Sequence, residues 1–163
     1  MRLLQVSPIR SAIVKGLKGF TGATTIVAEQ GGNQPAYPFT TLKFTTLGEK
    51  VGYATEFMRG TSAVHEQDIE MVMSVSCYSD KIGIAETLAY NALQYFELEG
   101  VESLTEQNIT VVETTALTDR TTFLTVNWEY CIGFDVTLRV RAQVVKEMEY
   151  IDKVELTGNK GGL

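Results

Sequence analysis

The sequence predicts an α+β fold in a single domain, with two main helices packed on one face of a β-sheet that is antiparallel or mixed. Two segments carry apolar residues at helical spacing, and several others alternate apolar and polar residues. The order of these segments is helix, strands, helix, strands. The chain has 163 residues, the size of one ordinary domain, so we expect a domain over residues 1–156 and a flexible tail over residues 157–163.

The first helix is predicted by a capping signal and an apolar stripe. Ser7 can accept hydrogen bonds from the free amides of a first turn, and Pro8 suits the first helical position. Ile9, Ile13 and Leu17 then recur one turn apart. The glycines expected to end this helix are Gly16, Gly19 and Gly22.

Two short extended stretches follow, and a long segment without a regular period comes after them. Residues 24–28 are rich in β-branched side chains, and residues 37–46 form a second stretch that Pro35 and Pro38 place at a sheet edge. Residues 47–67 contain three glycines and show no sustained period. We predict a long irregular loop or an irregular hairpin extension there, and loops of that length usually carry function.

The middle of the chain predicts a half-buried strand and the second helix. Apolar residues occupy alternate positions over residues 69–77. Ser79 is expected to cap a helix over residues 80–96, whose broad apolar face would pack on the sheet. A strand that begins at Ile109 and a turn at residues 119–120 follow.

The strongest pattern is the alternation over residues 126–144, where every even position is apolar. At about 3.3 Å per residue this segment would span roughly 60 Å, longer than most strands. We therefore expect a bend, bulge or turn near Gly133. Trp128 and Tyr130 fall on the apolar side and are expected in the core.

Composition and charge exclude several functions. The chain has 14 Lys+Arg and 20 Asp+Glu residues, and its formal net charge of −6 should repel phosphate, so we expect no specific nucleic-acid binding. The N-terminus lacks a signal-peptide core, and no apolar run approaches the roughly 18–20 residues that cross a bilayer. We expect a soluble protein without a membrane partner, made and assembled in a cytoplasm. Cys77 and Cys131 have neither disulfide-framework nor zinc-ligand spacing.

Catalytic and metal-binding interpretations have little support. His65 is the only histidine, and with Cys77 or Cys131 it would form the base and nucleophile of a small hydrolase. Cys77, however, lies on the apolar side of its strand. Three carboxylates alternate at a strand entry, and these are Glu66, Asp68 and Glu70. They would suit a hard cation such as calcium, although an exposed acidic face is the simpler interpretation. We predict no enzymatic activity, no cofactor and no metal site.

The order of these features resembles the phage neck or tail terminator family. The likeness spans most of the chain and depends on four pieces. They are the first helix at residues 7–17, EQGGNQPAYP at residues 29–38, the alanine-rich helix at residues 80–96 after a strand ending SCY, and WEYCIGFDV at residues 128–136. None of these is a catalytic signature, so the specificity of the likeness comes from their order.

The resemblance implies a structural virion protein that forms a hexameric ring on the tail tube. Such a ring ends tube polymerisation, and its other face accepts the head–tail connector or stopper protein. The implied partners are copies of the chain itself, the tail tube protein and the connector, with DNA passing through the lumen. Because the net charge is −6, we expect an acidic lumen. Another head–tail joining or tail-completion subunit, or an α+β domain that binds some other partner, remains an alternative.

Candidate interface residues come from the segment 47–67 and from the last strand. Aromatic, Met and Arg side chains are enriched at protein interfaces. Two arginines alternate on the polar side of the last strand, where they would pair with a neighbouring subunit's carboxylates or only keep the sheet face solvated. The candidate residues are Glu49, Lys50, Tyr53, Phe57, Met58, Arg59, Arg139 and Arg141.

Overall fold

The structure, a computed structural model, describes residues 4–148. The helices are α1 (Val6–Thr21), α2 (Ile82–Gln94) and α3 (Val101–Glu106), and a π-helical turn (Tyr95–Glu99) joins the last two. The strands are β1 (Thr24–Val27), β2 (Phe39–Arg59), β3 (Ser62–Ser79), β4 (Ile109–Thr114), β5 (Thr118–Asp119), β6 (Thr122–Phe123) and β7 (Trp128–Glu147). In this part of the chain, no helix has the length and apolar character needed to cross a membrane. The expected tail at residues 157–163 lies outside the described residues.

The strands form one mixed sheet in the order β1-β2-β3-β7-β4, and β5 and β6 also pair with β7. Only β1 and β2 run parallel, and the other neighbouring strands are antiparallel. The α+β class predicted from the sequence is confirmed, with the mixed form of the sheet.

The core lies between the helices and one face of the sheet. The buried face of α1 is Ile9, Ile13 and Leu17, as the stripe predicted. Phe96 and Phe134 are fully buried, and their rings meet edge to face at 6.0 Å. Each fully buried side chain of this size contributes roughly 1.5–3 kcal/mol relative to an exposed one.

Helix α1 differs from its prediction at both ends. Ser7 lies inside the first turn and is not the N-cap, so the predicted cap is wrong. Of the three glycines, only Gly22 ends the helix, with a left-handed φ of 72° and its N–H donated to the Lys18 carbonyl at 2.9 Å. Gly16 lies within the helix, where Tyr95 packs against it. An added Cβ would lie 2.0 Å from the Tyr95 hydroxyl oxygen.

The second helical region is longer than the predicted helix over residues 80–96. Helical structure continues through the π-helical turn and α3 to Glu106. Gly100 does not end the helical region, because its backbone has a right-handed helical conformation. Its lack of a side chain leaves room for the Tyr95 ring. Ser79 accepts a hydrogen bond from the Lys81 amide at 3.2 Å but is not the N-cap of α2.

Strand β7 runs unbroken for 20 residues and pairs without a register shift along all 18 residues of β3, so a bulge or turn near Gly133 is wrong. A partner of similar length allows a long strand to persist. Gly133 has another role, since an added Cβ would lie 2.7 Å from both the Arg120 guanidinium and the Val75 carbonyl oxygen.

Residues 47–67 are not a long irregular loop but an irregular hairpin extension, the second of the two forms predicted for them. They are the ends of β2 and β3, joined by a tight turn in which Gly60 has a φ of 62°. Three register shifts occur along β2, between Phe44 and Thr46, between Thr46 and Glu49, and between Val51 and Thr55. Such bulges disturb the two-residue period, which is why the sequence shows no alternation there.

Candidate assembly interface

A three-stranded arm extends the sheet beyond the helices. It consists of residues 49–59 of β2, 62–68 of β3 and 141–147 of β7, and none of these residues belongs to the main hydrophobic core. Seven strand residues reach about 20 Å. The arm is therefore held mainly by strand pairing and presents two faces to its surroundings.

The candidate residues of β2 all lie on this arm. Glu49 and Lys50 are at its base, paired with Glu70 and Ile69 of β3. Tyr53 lies in the bulged stretch next to Gly52 and is fully exposed, at 102% of its reference area. An aromatic side chain this exposed contributes nothing to the packing of its own subunit, so it is available to a partner.

The end of the arm carries a small apolar cluster. Phe57, Val64 and Val145 occupy directly opposite positions on three adjacent strands, and Val64 is fully buried. Phe57 remains 37% exposed, with the Arg59 guanidinium 5.7 Å from its ring centre. Met58 points to the other face of the arm and is 57% exposed. Each face of the arm thus offers an apolar contact.

A ladder of charged and polar pairs follows β3 and β7 from the core into the arm. Arg139 binds Glu70, and the Arg141 guanidinium donates to Asp68 at 2.9 Å. The hydrogen bond from Arg141 lowers the pKa of Asp68. Both arginines are therefore paired within their own chain, and their contact with a neighbouring subunit stays a prediction.

The same ladder removes the basis for a calcium site. Glu70 and Asp68 bind arginines, and Glu66 accepts a hydrogen bond from Gln143 at 2.8 Å. Across residues 4–148, no three acidic, histidine or cysteine side chains are grouped so that they could hold a metal ion. The three carboxylates are half-buried among these partners, so the exposed acidic face predicted for them is wrong.

A second polar cluster, which the sequence did not reveal, lies on the sheet face away from the helices. Arg120 lies over Gly133 and donates to the Ser74 hydroxyl at 2.7 Å, to the Ser76 hydroxyl at 3.1 Å and to the Asp135 carboxylate at 3.3 Å. These bonds fasten the segment between β5 and β6 across β3 and β7. A glycine within a long alternating strand is a signal of such a close approach.

The hairpin of β6 and β7 forms an exposed apolar patch at the opposite end of the sheet from the arm. Its exposed side chains are Phe123, Leu124, Val126 and Trp128. The rings of Phe123 and Trp128 lie 4.9 Å apart. Trp128 is 56% exposed, so its predicted place in the core is wrong. The alternation in the sequence correctly predicted the side of β7 to which Trp128 points. The side chain is exposed because the helices do not cover this end of the strand.

The Cys/His hydrolase is excluded by distance. His65 lies on the arm, and Cys77 lies far along the same strand, about 40 Å away. Cys131 pairs beside Tyr78 at the same end as Cys77. Burial raises the pKa of Cys77 to about 12 and also raises the pKa of Cys131. Neither thiol is therefore near His65, the only histidine in the sequence.

The described residues define a class of protein. The polar side chains that the fold brings together are held by one another in ladders, and the largest unexplained features are exposed apolar side chains on an arm and on a hairpin. Large exposed apolar groups mark contacts with other proteins. These features favour a structural protein that works through contacts with other proteins.

The family described as "Phage neck terminator protein" matches residues 11–162. The chain belongs to this family, so it is a structural protein of the virion neck or tail and not an enzyme, as the resemblance implied. No curated protein is similar enough to match it. Among solved structures it resembles a chain of the "Virion of native gene transfer agent (GTA) particle", with 13% identity over 83% of this chain and 95% of that chain and a TM-score of 0.32.

Proposed function

We propose that copies of this chain close into a ring, hexameric as the family resemblance implies, which caps the tail tube. The ring ends tube polymerisation, and its other face joins the tail to the head–tail connector or stopper protein. The partners are thus other copies of the chain, the tail tube protein and the connector. The observation that carries the proposal is a sheet with free outer strands on both sides, extended by an arm with exposed aromatic residues.

The free sheet edges support association between copies. Within residues 4–148, β4 pairs only with β7, and β1 pairs only with β2. An unpaired strand presents a row of amide and carbonyl groups that another chain can bind. Two different surfaces that meet head to tail generate a closed ring when the rotation between copies closes. A closed ring would leave no edge free for further lateral growth.

The arm supports contact with a second kind of partner. Tyr53 and Met58 are exposed on a projection that the core does not cover. Aromatic and methionine side chains of this kind are the usual anchors of protein interfaces. We assign the arm to contact with a neighbouring ring subunit or with the tube.

The negative net charge supports passage of DNA without binding. A formal charge of −6 per copy repels phosphate, so we propose that the lumen of the ring is acidic. An experimental structure of the assembled ring tests this point. A lumen lined mainly by Lys and Arg would contradict it.

Deletion of the gene tests the proposed function in the virus. We expect tails of uncontrolled length, or headless tails that lack an end ring, when the particles are imaged by electron microscopy. Wild-type protein supplied in trans should restore normal particles. Normal virions from the deletion strain would overturn the proposal, and tails of normal length that only fail to join heads would indicate a head–tail joining subunit instead.

A further inference from the structure

Basic and acidic residues are concentrated in different segments of the chain, which the net charge alone does not show. Residues 4–28 contain Arg10, Lys15 and Lys18 and no acidic residue, whereas residues 82–119 contain seven Asp and Glu residues and no basic one. The second segment is therefore more negative than the whole chain. Blocks of opposite sign on one folded domain set up complementary surfaces.

Arg10 and Lys18 lie on one flank of the subunit. Arg10 lies over the Phe44 ring of β2, with its guanidinium carbon 5.5 Å from the ring centre. Gly16 faces Tyr95 of the π-helical turn, and Arg10 is about 120° away around α1. Arg10 therefore points away from the other helices, toward the β1–β2 side. Lys18 is about 80° from Arg10 on the side away from Gly16, whereas Lys15 is about 140° from Arg10 and only about 100° from Gly16. We call Arg10 and Lys18 the basic flank.

The acidic residues lie on the other flank. They belong to the π-helical turn, α3 and β4, and all of them are exposed, namely Glu97, Glu99, Glu102, Glu106 and Glu113. We call these five residues the acidic flank. Helix α3 packs on β4, which is the outermost strand on the side opposite β1. Leu98 and Val112 are exposed among the carboxylates, at 69% and 41%.

Both flanks keep their charge available. Among residues 4–148, neither the two basic nor the five acidic side chains of the flanks take part in an ion pair. The first carboxylate after α1, Glu29, binds Lys43 at 2.6 Å. The charge of each flank is thus not neutralised within the described part of the subunit.

We propose that neighbouring copies meet with the basic flank of one against the acidic flank of the next. This inference depends on the proposed ring and specifies the contact that closes it. Leu98 and Val112 provide the apolar centre of the contact, and the surrounding charges fix its register and exclude pairing of like flanks. The two flanks lie on opposite sides of the subunit, so the contact is heterologous and suits a ring.

Charge reversal in the full-length protein tests the contact. One variant, Arg10→Glu/Lys18→Glu, has two acidic flanks. In another, Glu102→Lys/Glu106→Lys/Glu113→Lys, three Lys outnumber Glu97 and Glu99, so the acidic flank becomes net positive. Each is mixed with purified tail tubes, and capped ends are counted by electron microscopy. We expect each variant alone to cap tubes roughly tenfold less or worse than the wild type, because like flanks would meet. Lys81→Glu, an exposed reversal outside both flanks, is the matched control and should cap normally.

The mixture of the two variants is the sharpest part of the test. Copies with two acidic flanks and copies with two basic flanks can alternate around a ring of even number, so the equimolar mixture should restore capping. Recovery also shows that both variants are folded. Capping by either variant alone at the wild-type level, or failure of the mixture while wild type caps, would overturn the charge-paired contact and leave the proposed function standing. Wild type that never caps would instead refute the proposed function and this contact with it.

Discussion

Two glycines in one helix should respond in opposite ways to the same substitution. Replacing glycine by alanine inside a helix gains about 0.5–1 kcal/mol of stability when the new methyl group meets nothing. At Gly19, no atom lies within 4 Å of the added Cβ. At Gly16, the same Cβ would lie 2.0 Å from the hydroxyl oxygen and 2.9 Å from the adjacent ring carbon of Tyr95.

The cost at Gly16 follows from the confinement of Tyr95. The ring is buried, it lies so close to Gly100 that a Cβ there would be 2.5 Å away, and its centre is 5.3 Å from that of Phe96. It cannot retreat without moving other core groups. Overpacking of this kind costs about 1–3 kcal/mol. At the upper end of that range, and after the helix gain, Gly16→Ala should destabilise the fold by about 2 kcal/mol.

Thermal unfolding followed by circular dichroism measures the difference. One kcal/mol shifts the Tm of a domain of this size by roughly 2–4 °C. Gly16→Ala should therefore lower the Tm by about 4–8 °C, and Gly19→Ala should raise it by about 1–4 °C. Adding Tyr95→Phe to Gly16→Ala removes the closest atom and should recover part of the loss. Equal Tm values for the two alanine variants would refute the packing described for α1 and the π-helical turn.

Three further outcomes are expected. Tyr53→Ala should leave the free energy of unfolding within about 0.5 kcal/mol of wild type, because the side chain is fully exposed, yet reduce tube capping; a large loss of stability would show that Tyr53 packs within its own subunit. Cys77 should resist alkylation in the native protein at pH 8, because burial raises its pKa to about 12, and should react only after unfolding, as mass spectrometry can show. The hydrogen bond from Arg141 lowers the pKa of Asp68, so this pair stabilises the fold above about pH 4, and the stabilisation disappears as pH falls through the lowered pKa. Between pH 5 and pH 2 the Tm of Asp68→Asn should therefore fall less than the Tm of wild type. Parallel curves of Tm against pH would contradict the pairing.

The part of the fold that the helices cover was predictable from the sequence. Met71, Met73, Val75 and Cys77 alternate without interruption because that stretch of β3 packs on the helices along its length, and all four are buried. The same pattern misplaces Trp128. A period of two reports the side of the strand to which a residue points, and it does not report whether anything covers that side.

The Arg120 cluster could not be predicted, and the sequence could not decide between a loop and an irregular hairpin for residues 47–67. Bulges in β2 remove the alternation by which a strand is recognised, so an ordered hairpin has the sequence pattern of a loop. Arg120 reaches Ser74 and Ser76 only because the sheet brings distant segments together. The sequence identified the candidate residues on the arm by residue type alone. Their exposure, which is greatest for Tyr53, is seen only in the structure.

Capping of isolated tail tubes by the purified wild-type chain tests the central claim most directly. Tubes incubated with increasing protein should each acquire a ring at one end, stop elongating when tube subunits are added, and show the ring's rotational symmetry in averaged images. Tubes that remain bare and continue to elongate at every protein concentration would contradict it.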